Sequence, residues 1–515
     1  MLKGIVTCFL LRIKSKYCAF ASKLKLHTKI KSAVICLKAL FLKMPFLVWN
    51  SFVNKGLYLV IKSTQINYSI YEIQMRKKAY TILTLIFCLF ICGQNSYAMH
   101  IRKRKIKKLF KHSQMMKDHF TGFALYDLDN KKMIYELNDA QYFIPASNTK
   151  LFTFYTCLKM LGDSVPALKY VIHQDSLIFW GTGDPSFLHN GLKSIYGFNF
   201  LKNSGKKLFF SSGSYTNAMY GSGWAWDDYN DDYQAEISEL PTGGNLALAY
   251  ADKTGTLQIS PAYLKKYLRC DSSYHPTSFK IKRNFLSNDF IYPALGVPQN
   301  FTQQIPWQTS AALTIALLQD TLKQVITEVH LPLPRDAKTI YNVKCDTVYR
   351  HMLQPSDNFI AEQLLLACAS TKFKTLNTDS VINYSIANFL NDLPDKPRWV
   401  DGSGLSRQNL FTPRSIVMLL CKILDAVKSE ALLHSLLPQG GVIGTIKNVY
   451  KKDSGTAFVW AKTGSLSNNY NQSGYITTKK GKRLAFSFMN NNFIRPSREV
   501  RDEMVRIMTH IHDEF

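Results

Sequence analysis

What most restricts the fold of this 515-residue chain is that matching strand and helix signals stand at its two ends. FTGFALYDLDNKKMIYELN, residues 120–138, reads as two strands around an Asp-Asn-Lys turn. SNTKLFTFYTCLKML, starting at Ser147, then reads as a helix capped by that serine. Far along the chain, AFVWAKTGS and SGYITTKKGKRLAFSFMNN predict three antiparallel strands, and PSREVRDEMVRIMTHIHDEF predicts an amphipathic closing helix. A lone hairpin cannot bury a face by itself, so both ends are expected to build one antiparallel sheet flanked by helices, an α+β fold. Residues 118–165 and 341–515 would form that domain. Residues 166–340, with more aromatics, glycines and turn signals, read as a strand-rich insertion.

Within the first helix, Ser147 and Lys150 stand three positions apart just as an apolar run begins. A lysine in that place either snorkels to water or does chemistry. On a helix, residues i and i+3 share a face, so the amine would lie beside the hydroxyl and could take its proton. An acyl-transfer enzyme of this kind also needs a second hydroxyl and amide near the nucleophile, and a cation on an edge strand for a substrate carboxylate. Ser356-Asp357-Asn358, opening the helical run SDNFIAEQLLLACAS, and Lys462-Thr463-Gly464, on the strand AFVWAKTGS, supply both in order. The set Ser-x-x-Lys, Ser-x-Asn, Lys-Thr-Gly is the signature of penicillin-recognising serine enzymes. Each part alone is weak. Ser-x-x-Lys recurs at Ser22 and Ser204, and a second Lys-Thr-Gly at Lys253 comes before the Ser-x-Asn element and reads as a turn. Taken singly, Ser147 and Ser356 would be helix caps and Lys462 a solvated strand end; the ordered set favours chemistry.

Charge and cysteines bound the setting. The formal net charge is +28, but half of the excess precedes Met99, and HIRKRKIKKLFKH at 100–112 concentrates more of it. The body is therefore only mildly basic, which argues against nucleic acid as a partner, while the basic arm suits a peripheral membrane or cell-wall contact. Met75 opens MRKKAYTILTLIFCLFICGQNSYAMH, with Arg76, Lys77 and Lys78 before an apolar stretch and Ser96-Tyr97-Ala98 as a cleavage site. Residues 75–98 are read as a secretory signal, 99–117 as a basic arm, and 1–74 as an upstream extension from a start assigned too early. Export would place the protein in the periplasm. Five of the ten cysteines precede Met99, and the others (Cys157, Cys270, Cys345, Cys368 and Cys421) are widely spaced, with no disulfide framework or CxxC pair. Cys157, Cys368 and Cys421 are expected as buried small hydrophobes. No HExxH occurs, and neither a metal nor a cofactor is expected.

WGTGDPSF (180–187), GSGWAWDDYNDDYQAEISEL (221–240), PSDNFIAEQLL (355–365), VDGSGLSRQN (400–409) and GGVIGTI (440–446) closely resemble the penicillin-binding-protein-4 type of D-alanyl-D-alanine carboxypeptidase and endopeptidase, peptidase family S13. The resemblance covers most of residues 118–505. It implies a serine β-lactamase/DD-peptidase-like transpeptidase domain with material inserted between its first two motifs, peptidoglycan stem peptides as substrates and β-lactams as inhibitors. It further implies Ser147 as nucleophile, Lys150 as base, Ser356 as proton relay and Asn358 as aligning amide. The N–H groups of Ser147 and Ser465 would form the oxyanion hole, and Lys462 and Thr463, beside Gly464, would hold the terminal carboxylate. Burial and the nearby Lys462 would lower the Lys150 pKa. Asp184 is expected to pair with a free ammonium on the stem peptide, against the bland reading that it only bonds its own turn. A class A β-lactamase would need a deacylating glutamate, for which Glu362 is the tempting candidate but reads as structural. A related esterase is a rival reading, although such enzymes typically lack the full Lys-Thr-Gly in this order. A non-catalytic wall-binding protein is a third rival, and the intact Ser147, Lys150 and Lys462 argue against it.

Overall fold

The computed structural model describes residues 103–515, apart from Lys193, Asn217 and residues 452–454. The expected extension 1–74 and signal 75–98 lie outside the described residues. The two ends of the described chain share one five-stranded antiparallel sheet. Its strands are β1 (Phe120–Asp127), β2 (Lys132–Leu137), β3 (Val459–Leu466), β4 (Asn469–Thr477) and β5 (Arg483–Asn491), in the order β3-β4-β5-β1-β2. The join is the β1–β5 ladder, in register from Phe120 opposite Asn491 to Asp127 opposite Leu484. The expected α+β fold is what forms.

Side chains that alternate along a strand point to opposite faces, and here each face has its own cover. Phe123, Leu125, Phe486 and Phe488 pack with Val500, Met504, Ile507, Met508 and Ile511 of the closing helix α4 (Ser497–Glu514), an apolar stripe at helical spacing. Residues 103–112 of the expected basic arm are helical and set Ile106 and Phe110 into this same layer, so this part of the arm is docked. Ala124, Ala485, Met489 and Tyr475 face the other way, into a core with α1 (Lys150–Met160), α2 (Asn358–Lys372) and α3 (Pro413–Val427). α1 is buried at every position from Lys150 to Cys157, and α2 from Phe359 to Ser370, so both are central helices wrapped on all sides. α3 begins where Thr412 accepts the Ser415 N–H and Pro413 takes the first turn.

The intervening region carries three sheets of its own. One has five strands in the order Ile326–Val329, Lys207–Ser211, Ser176–Gly181, Ser164–His173, Lys338–Lys344. Two have three strands: Leu268–Asp271, Phe290–Pro293 and Lys282–Arg283, and Thr302–Pro306, Leu246–Ala251 and Leu257–Ser260. Ser164–His173 and Lys338–Lys344 are antiparallel partners, so the chain leaves and re-enters the helical core at neighbouring points. The expected edges of the insertion, 166 and 340, fall inside these two strands. The Lys253 Lys-Thr-Gly forms an exposed turn in which Asp252 accepts the Thr254 and Thr256 N–H groups.

Candidate active site

Three elements bring the motif residues together. Ser147 sits on a 3-10 turn, Ala146–Thr149, that leads directly into α1. The expected serine cap is absent, since neither this turn nor α1 has a side-chain cap. Ser356 does not cap α2 either: Asp357 does, accepting the Ile360 N–H at 2.8 Å. Relieved of structural duty, both serines stand half-exposed. Ala146 and Ser356 hold φ of 48° and 70°, a conformation that costs a non-glycine residue energy and is concentrated at functional sites.

Lys150 has no exposed surface, and its ammonium makes three bonds: to Ser147 Oγ at 2.9 Å, Asn358 Oδ1 at 2.6 Å and the Ser403 carbonyl at 2.8 Å. Burial pulls its pKa down to about 8, against the opposing pull of Asp357, Asp401 and Glu362. Lys462 is equally enclosed and donates to Ser356 Oγ at 2.7 Å and to the Thr463 carbonyl at 2.8 Å. Its pKa is also driven far down, by burial first and then by the charge of Lys150. Burial is the larger cause for both lysines, and their mutual repulsion acts in the same direction, as expected.

The strand β3 lies at the edge of the sheet and passes close over the serine turn. A Cβ on Gly464 would overlap the Pro145 carbonyl oxygen and crowd the Asn148 and Ser147 nitrogens. Only glycine lets the strand approach that near. The outer edge of β3 is engaged up to Ala461, whose N–H donates to the Pro438 carbonyl at 3.1 Å. Beyond it come Lys462, Thr463, whose hydroxyl meets Thr445 Oγ1 at 2.7 Å, and the exposed Ser465.

Asp184 departs from expectation. Its carboxylate is fully buried; one oxygen accepts the Ser186 N–H and hydroxyl at 2.8 and 2.6 Å, the other the Asn342 amide at 2.7 Å. Burial raises its pKa to about 6. A carboxylate with no exposed surface and both oxygens committed within the protein cannot meet a substrate ammonium, so Asp184 is a turn former. Glu362, also buried, accepts the Gly402 and Ser403 N–H groups at 2.9 and 2.7 Å, which excludes it as the base for a deacylating water.

The loop Asp401–Gly404 carried the family resemblance in the sequence but was given no role in the site. Asp401 accepts the N–H groups of Gly404 and Ser406, the Asn409 amide and the Trp224 indole, all within 2.9 Å. Gly404, at φ 87°, touches the Ala146 carbonyl so closely that a side chain would overlap it. The available signal was Asp-Gly-Ser-Gly itself: two glycines and an acid in a row mark a loop bent for close approach.

A half-exposed serine bonded to a buried lysine, beside a cation-bearing edge strand on an α+β sheet, defines the class of penicillin-recognising active-site-serine enzymes. Within that class, a model of the D-Ala-D-Ala carboxypeptidase 3 (S13) family matches residues 103–511, and the chain belongs to that family. D-alanyl-D-alanine carboxypeptidase DacB of Haemophilus influenzae is 24% identical over 76% of this chain and 90% of its own length. Penicillin-sensitive carboxypeptidase A of Dictyostelium discoideum is 23% identical over 73% of this chain and 83% of its own. The crystal structure of penicillin binding protein 4 (dacB) from Haemophilus influenzae superposes with a TM-score of 0.60 at 22% identity, covering 79% of this chain and 98% of that one.

Proposed function

We propose that the chain is a serine-type D-alanyl-D-alanine carboxypeptidase acting on peptidoglycan stem peptides in the periplasm, with Ser147 as nucleophile. The single observation that carries the assignment of roles is the bonding of Lys150. As a free amine, lysine has two N–H bonds and one lone pair. The Asn358 and Ser403 carbonyl oxygens can only accept, so they take both N–H bonds and leave the lone pair aimed at Ser147 Oγ. With a pKa of about 8, Lys150 is an amine for part of the population near neutral pH, as a general base must be.

The Ser147 oxygen adds to the carbonyl between the two D-alanines while its proton passes to Lys150. The resulting oxyanion is met by the N–H groups of Ser147 and Ser465, which the Gly464 approach holds on adjoining elements. The C–N bond then breaks. Ser356 gives its proton to the departing amine and is resupplied from Lys150. Water completes hydrolysis of the acyl-enzyme by the reverse relay. Lys462 and Thr463 bind the terminal carboxylate of the substrate. Because burial disfavours the Lys462 cation in the free protein, an arriving carboxylate favours its protonated form.

The test is release of D-alanine from a stem pentapeptide ending in D-Ala-D-Ala. The full chain is expected to release it and Ser147→Ala to release none. Equal release by both would overturn the assignment.

A further inference from the structure

We propose that Glu362 is a positioning residue for Lys150, acting through the Gly402–Ser403 peptide groups to set the direction of the lysine lone pair. This rests on the reading of Lys150 as the base that activates Ser147. Glu362 lies on α2, one turn beyond Asn358, and is only 2% exposed. Each of its oxygens takes one loop amide: Oε2 the Gly402 N–H at 2.9 Å and Oε1 the Ser403 N–H at 2.7 Å. The carbonyls of the same two residues bond to α1. The Gly402 oxygen accepts the Thr153 hydroxyl at 2.6 Å, and the Ser403 oxygen accepts Lys150 Nζ at 2.8 Å. The loop is thus clamped between α2 and α1, with Glu362 on one side and the lysine on the other.

Of the two acceptors that fix the amine, Asn358 belongs to the recognised motif and Ser403 does not. The Ser403 oxygen is a backbone group, so no side chain of its own residue can hold it in place. Glu362 does so. Burial and the neighbouring Asp401 push the Glu362 pKa up to about 8, so it gains its charge over the same pH range in which Lys150 loses its proton. Asp401, with four donors, braces the same loop. The charged groups acting on Lys150 are Asp357, Asp401 and Glu362, which favour the ammonium, and Lys462, whose own proton Lys150 disfavours. Asp401 acts on Glu362, which in turn influences Tyr215. Removing the Glu362 carboxyl therefore lowers the Lys150 pKa over the range in which Glu362 is ionised, while shortening the side chain keeps the carboxyl and loosens the loop.

Two variants separate these effects, read as the rate constant for acylation by labelled penicillin across pH, with thermal unfolding alongside. Glu362→Gln keeps the length, loses the charge and turns an N–H donor toward a loop amide. It is expected to slow acylation about tenfold or more and to move the rising limb of the pH profile toward lower pH. Glu362→Asp is expected to slow acylation with the limb in place, and it stands as the readout if the glutamine variant does not fold. Acylation within about twofold of the parent in the variants that fold would overturn the proposal, as would a glutamine variant slowed with an unmoved limb, which is the result of a merely structural role. If the parent chain is not labelled at Ser147, the reading of the base has failed rather than the positioning.

Discussion

At the scale of single residues, the site rests on burial in a place where a lysine is costly. Lys150 titrates with a pKa of about 8 in the folded protein, and only the deprotonated amine can accept the Ser147 proton. Acylation by penicillin should therefore rise with pH and reach half its plateau near pH 8. Lys150→Ala should lower the rate by a factor of about 100 to 10,000 and remove that limb; a change of a few fold would count against the base. Asp184 makes the opposite prediction. Asp184→Asn should destabilise the protein by about 1–3 kcal/mol, because the new amide N–H group confronts donors, yet it should leave unchanged the ratio of kcat/KM on stems with a free and an acetylated amine. Motif residues were legible in the sequence because their chemistry is carried by side-chain type and order. The Ser403 oxygen was not, since a backbone carbonyl is the same in every residue and its use depends on where the loop lands. Asp184 misled for a related reason: Gly-Asp-Pro looks alike whether the carboxylate faces a cleft or, as here, Ser186 and Asn342.

At the scale of elements, function depends on how closely β3 approaches the serine turn. Gly464→Ala places a methyl group against the Pro145 carbonyl, and either the strand or the turn must yield. The expected result is loss of penicillin acylation well beyond any loss of stability, which overpacking of this size sets at about 1–3 kcal/mol. Acylation at the parental rate would show that the contact has slack. Both hairpins and the closing helix were legible because alternation and the Val500, Met504, Ile507, Ile511 spacing report a single buried face. The starts of α1 and α2 were harder. A serine just before an apolar run reads as a cap, but at α2 Asp357 caps and at α1 no side chain does, which frees Ser356 and Ser147 for the site.

At the scale of the whole molecule, one sheet is assembled from the two ends of the described chain, and the inserted sheets return the chain to the point where it left. The α+β class was legible from that symmetry of signals, and the insertion was legible as strand-rich; its division into three sheets was not, because short strands in turn-rich sequence carry little periodicity of their own. Among the described residues no helix is long and apolar enough to cross a membrane. The central claim, that this assembly makes Ser147 a nucleophile, is tested most directly by treating the chain with labelled penicillin, digesting it and locating the label by mass. The label should lie on the peptide bearing Ser147 and be absent from Ser147→Ala. A label on any other serine, or one that survives that substitution, would contradict the account.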